Sequence, residues 1–178
     1  MPRLFAAGRP VLDDVKLMIF DKDGTIFDIH HYWATMIRMR AALLADRHLH
    51  DQALRPGLCL ELESAMGLDS SMGRLRPGGP VGTRPRREVV QAVEAKLLNL
   101  GIPKEAGIVE DAFAAIDRAT SDDLVPLLTL LPGVEALLSA AKAKGVYAAI
   151  ATTAITPRAI AALEALGLAD AFSAIAGS

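Results

Sequence analysis

Asp21-Lys22-Asp23-Gly24-Thr25 sets two carboxylates one residue apart, directly after the apolar run Val15 to Phe20 (VKLMIF). Such a pair can do three things. Asp21 offers a nucleophile for covalent catalysis. Asp23 offers a general acid and base within reach of a leaving group. Together they concentrate negative charge that calls for a hard divalent cation such as Mg²⁺. Gly24 tightens the turn, whose backbone N–H groups can cradle phosphate oxygens. A second loaded position is Thr152, with Thr153 beside it, after the apolar run Val146 to Ala151 (VYAAIA). The Thr152 hydroxyl adds a donor. Asp and Gly are also ordinary turn residues, so a plain surface turn is the competing reading. The strand before Asp21 and the later strand-plus-threonine unit weigh against it.

These residues must be positioned by strands. Length, β-branched content and the Gly-bearing turn read 15–20 as a buried strand, and 146–151 and 172–176 (FSAIA) as two more. Between them, Val134 to Lys144 and a segment from Thr156-Pro157 to Gly167 read as helices, each stopped by glycine. Strand, helix, strand with short loops is a βαβ pattern, so parallel strands with right-handed crossovers are expected. Ligands of such sheets bind outside the carboxyl ends of the strands, where Asp21, Asp23 and Thr152 stand.

The middle of the chain has helical rhythm. Trp33, Met36, Ile37, Ala41 and Leu44 recur at helical spacing from Ile29 to about Arg47, with Arg38, Arg40 and Asp46 between them. Further helices are expected over Leu58 to Met66, over Glu88 to Leu100, and from Pro103-Lys104 to about Arg118. Gly73 to Arg87 is rich in Gly, Pro and Arg and reads as irregular.

Composition narrows the class. The 178 residues carry 19 basic and 21 acidic side chains, a net charge of −2, which argues against a protein built to bind nucleic acid or an anionic membrane. Hydrophobic residues make up 52%, with 31 alanines, and suit alanine-rich helices. No run approaches the roughly 18 uncharged apolar residues of a membrane span, and Met1 to Asp14 lacks the apolar run of a signal peptide. Cys59 is the one cysteine, which excludes an intrachain disulfide and a cysteine-rich zinc site. A cytoplasmic location is the expectation.

The segments MIFDKDGTIFD (Met18 to Asp28) and LPGVEALLSAAKAKGVYAAIATT (Leu131 to Thr153) resemble the first and second motifs of the haloacid dehalogenase superfamily of phosphohydrolases. The similarity extends to its phosphoglycolate-phosphatase-like members, which insert a helical cap after the first motif. The resemblance implies an α/β fold with a Rossmann-like parallel sheet core and an inserted α-helical cap. Core would be 1–27 and 125–178, and cap 28–124. It implies a Mg²⁺-dependent phosphatase acting on a small phosphorylated metabolite through an aspartyl-phosphate. Asp21 would attack phosphorus and ligate Mg²⁺. Asp23 would protonate the leaving group, activate water and ligate the metal through its backbone carbonyl. Gly24, Thr25, Thr152 and Thr153 would hold the phosphoryl group. Asp at position 23 favours phosphoryl transfer over the family's dehalogenase and phosphonatase branches.

Within the cap, the Arg-rich segment would either line the cavity and recognise a second anionic group or form a solvated surface loop. His30, His31 and Trp33 would either face the site or pack the cap. His48 and His50 offer a metal pair or a solvated helix end.

Two family motifs, a Lys or Arg and an acidic metal-binding segment, have no counterpart before Ser178. A chain of this extent is therefore expected to be weak or inactive, and either to be a C-terminally truncated form or to have the edge of its first strand covered by another chain. Its first strand would be an apolar sheet edge open to self-association. A phosphotransferase or sugar-phosphate mutase, and a non-catalytic fragment of the same fold, are the alternatives.

Overall fold

A computed structural model describes residues 1–48, 53–103, 105–121, 124–154 and 156–177. The element order is β1 (Arg3–Ala6), β2 (Arg9–Asp13), β3 (Leu17–Phe20), α1 (Ile29–His48), α2 (Arg55–Met66), β4 (Leu68–Asp69), β5 (Arg74–Leu75), α3 (Arg86–Asn99), α4 (Ile108–Ala119), α5 (Val134–Ala143), β6 (Tyr147–Ala151), α6 (Thr156–Ala165) and β7 (Ala174–Ala176). The chain divides into two compact units, a sheet unit of 1–29 and 124–178 and a helical unit of 30–123.

In the sheet unit, β3, β6 and β7 form a parallel sheet in that order. Leu17 pairs with Tyr147 and Phe20 with Ile150, while Ala149 pairs with Ala174. Side chains alternate across a strand, and burial follows that period. Ala148 and Ile150 are buried, and Phe20 meets Phe172 edge to face at 6.2 Å. On the other face Leu17, Ile19 and Tyr147 are 49%, 65% and 66% exposed. β3 is an edge strand, as expected for the first strand, while the reading of 15–20 as buried is corrected: Met18 and Phe20 are buried only in part. Phe172 precedes β7 rather than opening it, because a short 3₁₀ turn at Ala169–Ala171 hands it over.

An antiparallel hairpin, β1–β2, precedes the sheet. Its two-residue turn has Ala7 at φ 49° and Gly8 at φ 75°. Two positive φ values in sequence match the twist of a hairpin, and Gly8 adopts one freely while Ala7 does so at a cost.

The helical unit is built on one contiguous apolar cluster. Ile37, Ala41, Leu44, Ala45, Leu62, Met66, Val93 and Ala112 are fully buried, with Phe113 1% exposed. Arg40 lies inside the α1 stripe rather than beside it, since it falls one turn from both Ile37 and Leu44. Its guanidinium stacks 4.4 Å from the Phe113 ring centroid and bonds Asp117 Oδ1 at 2.8 Å. Asp117 also accepts from Arg86, which reaches Glu110 at 2.7 Å, so one carboxylate ties α1 and α3 to α4.

Two boundaries differ from expectation. α4 starts at Ile108 after Gly107, which stands in the left-handed region at φ 81° and breaks the helical run before it. Lys104 lies outside the described residues. The Arg-rich segment contains β5, contributes the first turn of α3, and is fastened to α2. Arg76 N–H donates to the Gly67 carbonyl at 2.8 Å and Val81 N–H to that of Met66 at 3.3 Å, while Arg76 also bonds the Ser64 carbonyl. Gly67 has φ 95°, and a Cβ there would come 2.9 Å from Gly79 Cα, so the contact requires glycine at this site. His30 Nδ1 accepts the Leu75 N–H at 3.2 Å and Trp33 packs on the apolar cluster, so both serve the unit's own packing. His50 lies outside the described residues. Among those residues no helix is long and apolar enough to cross a membrane.

Candidate active site

Parallel pairing fixes where the candidate residues emerge. Phe20 and Ile150 are register partners, so the next step brings Asp21 beside Ala151, one residue before Thr152. Asp21, Asp23, Thr152 and Thr153 therefore leave the sheet at the same carboxyl edge. Gly177 follows β7 at that edge. A Cβ at Gly177 would stand 2.3 Å from the Ala154 carbonyl oxygen, so the backbone fits only without a side chain.

The loop after β3 is a single tight turn folded around one carbonyl. Lys22 O accepts N–H bonds from Thr25 (3.4 Å), Ile26 (2.9 Å) and Phe27 (3.2 Å), and the Gly24 N–H returns to Phe27 O at 2.8 Å. Gly24 stands at φ 81°, a conformation glycine adopts without the Cβ penalty. Ile26 and Phe27, each 1% exposed, anchor the turn in the core. Asp28 N–H bonds Thr129 O at 2.7 Å and Leu131 N–H bonds Ile26 O at 2.9 Å, which fastens the loop to the chain entering α5. The apolar Ile26-Phe27 pair is the reason the loop closes here: it must be buried, and burying it curls the polar residues before it outward.

Within that turn the two carboxylates have different surroundings. Asp21 is exposed and accepts the Lys22 backbone N–H at 2.7 Å on Oδ1. Asp23 is partly buried and pairs with the Lys22 ammonium. Lys22 is 6% exposed, and its Nζ lies 5.5 Å from the Phe27 ring centroid. The sequence reading overlooked Lys22. The signal was present in the strand period: Met18, Phe20 and Lys22 share one parity, that of the covered face. Thr152 Oγ1 accepts the Ala154 N–H at 3.2 Å, which orients the hydroxyl, while Thr152 N–H bonds Ala176 O at 2.9 Å.

The donor set suits a hard cation of modest demand. Mg²⁺ commonly takes one or two carboxylates and completes its shell with water and substrate phosphate. Asp21, exposed at the start of the turn, would be the carboxylate of such a set. No cluster of three or more His, Cys, Asp or Glu suited to a metal occurs among the described residues, so a closed all-protein cage is not offered there.

Comparisons with known proteins agree with this geometry. A family model for haloacid dehalogenase-like hydrolases matches residues 15–178. Among solved structures, a protein from Haemophilus somnus described as a predicted phosphoglycolate phosphatase superposes with TM-score 0.64 at 20% identity, over 94% of this chain and 64% of its own. A Thermotoga maritima protein assigned as a β-phosphoglucomutase gives TM-score 0.56 at 19% identity, over 92% and 61%. A magnesium-bound hydrolase of this superfamily from Bacillus subtilis gives 0.52 at 17% identity, over 93% and 66%. The chain thus spans less than two thirds of the length of each. No curated protein matches. At these identities the structural likeness establishes a shared fold, and the family model covers all of the sheet's parallel strands, the candidate loop and the inserted helices. This chain belongs to the haloacid dehalogenase-like hydrolase family.

Proposed function

We propose that this chain carries the catalytic loop of a Mg²⁺-dependent phosphatase that hydrolyses a small phosphorylated metabolite. The observation that supports the reading best is the rigid turn at the carboxyl edge of the sheet, with an exposed Asp21 and a paired Asp23 one residue apart. Asp21 attacks phosphorus, and the ester oxygen leaves with a proton from Asp23. Asp23 then takes a proton from the water that cleaves the aspartyl-phosphate, so the enzyme returns to its starting state. Gly24 and Thr25 shape the loop around the phosphoryl group, and Thr152 and Thr153 present hydroxyls to its oxygens. Asp21 and the Asp23 backbone carbonyl would hold Mg²⁺, which when bound would neutralise the phosphate's charge. The helical unit, 30–123, is assigned the choice of the substrate's non-phosphate part.

The test is phosphate release from para-nitrophenyl phosphate and from a panel of small phosphate esters, with Mg²⁺, in the full-length protein that carries this sequence. Asp21→Asn should abolish release, a loss of about three orders of magnitude or more, with folding intact. Release unchanged in Asp21→Asn would refute the assignment. A rearranged ester in place of free phosphate would make the protein a mutase working through the same residue.

A further inference from the structure

The two carboxylates of the loop are chemically identical, yet the reaction asks different work of each. The structure contains a device that separates them. Lys22 stands between Asp21 and Asp23 in sequence, but unlike Asp21 it is buried, and its ammonium meets Asp23. There the ammonium pairs with Asp23 Oδ1 and lies over the Phe27 ring, while the residue as a whole is 6% exposed. A buried ammonium is expensive unless a carboxylate answers it, so the pairing holds both partners in place. Asp21 has no share in that pairing; its recorded bond is to the Lys22 backbone N–H.

We infer that Lys22 is a positioning residue: its buried ammonium fixes the Asp23 carboxylate and keeps it from joining Asp21 in holding the cation. The inference rests on the phosphatase reading above. In physical terms, Lys22 supplies an internal counter-charge to one carboxylate and leaves the exogenous cation to the other. A site with both carboxylates unopposed would draw Mg²⁺ between them. That would hold the cation more tightly and place Asp23 wrongly for proton transfer to the leaving group.

Lys22→Met keeps the length and apolar stem while removing the charge, and Lys22→Gln is the second variant should the first fail to fold. Both are compared with the unmodified protein and Asp21→Asn by two measurements: Mg²⁺ alone titrated calorimetrically, and steady-state hydrolysis of para-nitrophenyl phosphate. Loss of the ammonium should tighten Mg²⁺ binding by about three- to tenfold, the effect of removing one nearby positive charge at a half-exposed site. It should lower kcat at least tenfold and leave KM within about twofold, the signature of misplaced proton transfer rather than lost substrate binding. A merely structural lysine would move Mg²⁺ affinity downward or not at all. Unchanged or weakened Mg²⁺ binding, or a kcat within twofold of the unmodified protein, overturns the inference and leaves the phosphatase reading standing. If instead the unmodified protein and Asp21→Asn are equally unable to bind Mg²⁺ and release phosphate, the phosphatase reading falls and the role of Lys22 falls with it.

Discussion

The helical unit and the sheet unit divide the molecule's physical work unevenly. The helical unit closes on itself: eight residues of its cluster show no exposure, and one carboxylate, Asp117, ties three helices together. The sheet unit buries one face of its sheet, leaves Leu17, Ile19 and Tyr147 open on the other, and carries the loop with the candidate chemistry. Tight packing and reactive groups thus occupy different bodies. The difference teaches that loop rigidity here does not come from a deep core. It comes from two buried side chains, Ile26 and Phe27, and from the Lys22 carbonyl that gathers three N–H groups.

Six substitutions put numbers on that contrast. The largest effect is expected in the helical unit, where Phe113→Ala removes a fully packed ring and should cost about 3–5 kcal/mol. Hydrogen exchange should report it as faster exchange throughout α1, α3 and α4, while β3 and β6 keep their protection. Equal losses in both units would erase the distinction between them.

Next come the two faces of the sheet. Ile150→Ala, on the buried face, should cost about 2–4 kcal/mol. Ile19→Ala, 65% exposed on the other, should cost less than about 1 kcal/mol. Denaturant midpoints of the two variants decide it, and equal losses would mean that the open face is covered in solution.

The Asp117 network follows. Burial raises the Asp117 carboxyl, but Arg86 and Arg40 outweigh it and hold the group below the usual carboxylate range. A carboxyl depressed on folding contributes stability that is present above the unfolded value, near about 3.9, and is lost as pH falls through the folded one. The helical unit should therefore weaken in acid, and Asp117→Ala should cost about 2–3 kcal/mol at neutral pH while flattening that acid dependence. Burial pulls the Arg40 guanidinium the other way, below its ordinary value, against the pull of Asp117. Arg40→Met should accordingly cost little, since it removes a desolvated charge and leaves Asp117 with Arg86. Stability-against-pH curves for the three proteins check both statements.

The smallest effect is a gain. Ala7→Asn in the β1–β2 turn puts a residue tolerant of positive φ where alanine is strained, and should add less than about 1 kcal/mol. Proteolysis rates within the first 13 residues would register it.

How much of this was legible beforehand follows from the kind of signal each element leaves. α2 and α5 were readable because glycines stop them at Gly67 and Gly145, and β6 because a continuous apolar run ends at the threonines. The turn after β3 was readable because Asp-Lys-Asp-Gly follows an apolar run, and Asp and Gly are turn residues. The β1–β2 hairpin was not legible, since an Ala-Gly turn carries weaker sequence preference than Asn-Gly. The burial of Arg40 was not legible because charge normally marks the outer face, and only its ring and carboxylate partners make burial tolerable. Lys22 escaped for the same reason: a charge between two charges looks like surface, and only strand parity points it inward. Tertiary pairing of charge is what the linear pattern fails to encode.

The most direct measurement of the central claim is covalent. The full-length protein is incubated with acetyl phosphate and Mg²⁺, quenched with borohydride, which reduces an acyl phosphate to the alcohol, and mapped by peptide mass spectrometry. Reduction of Asp21 to homoserine, absent from the sample without phosphoryl donor, is the expected result. Reduction at another aspartate, or at none while phosphate is still released, would contradict the assignment of Asp21 as the nucleophile.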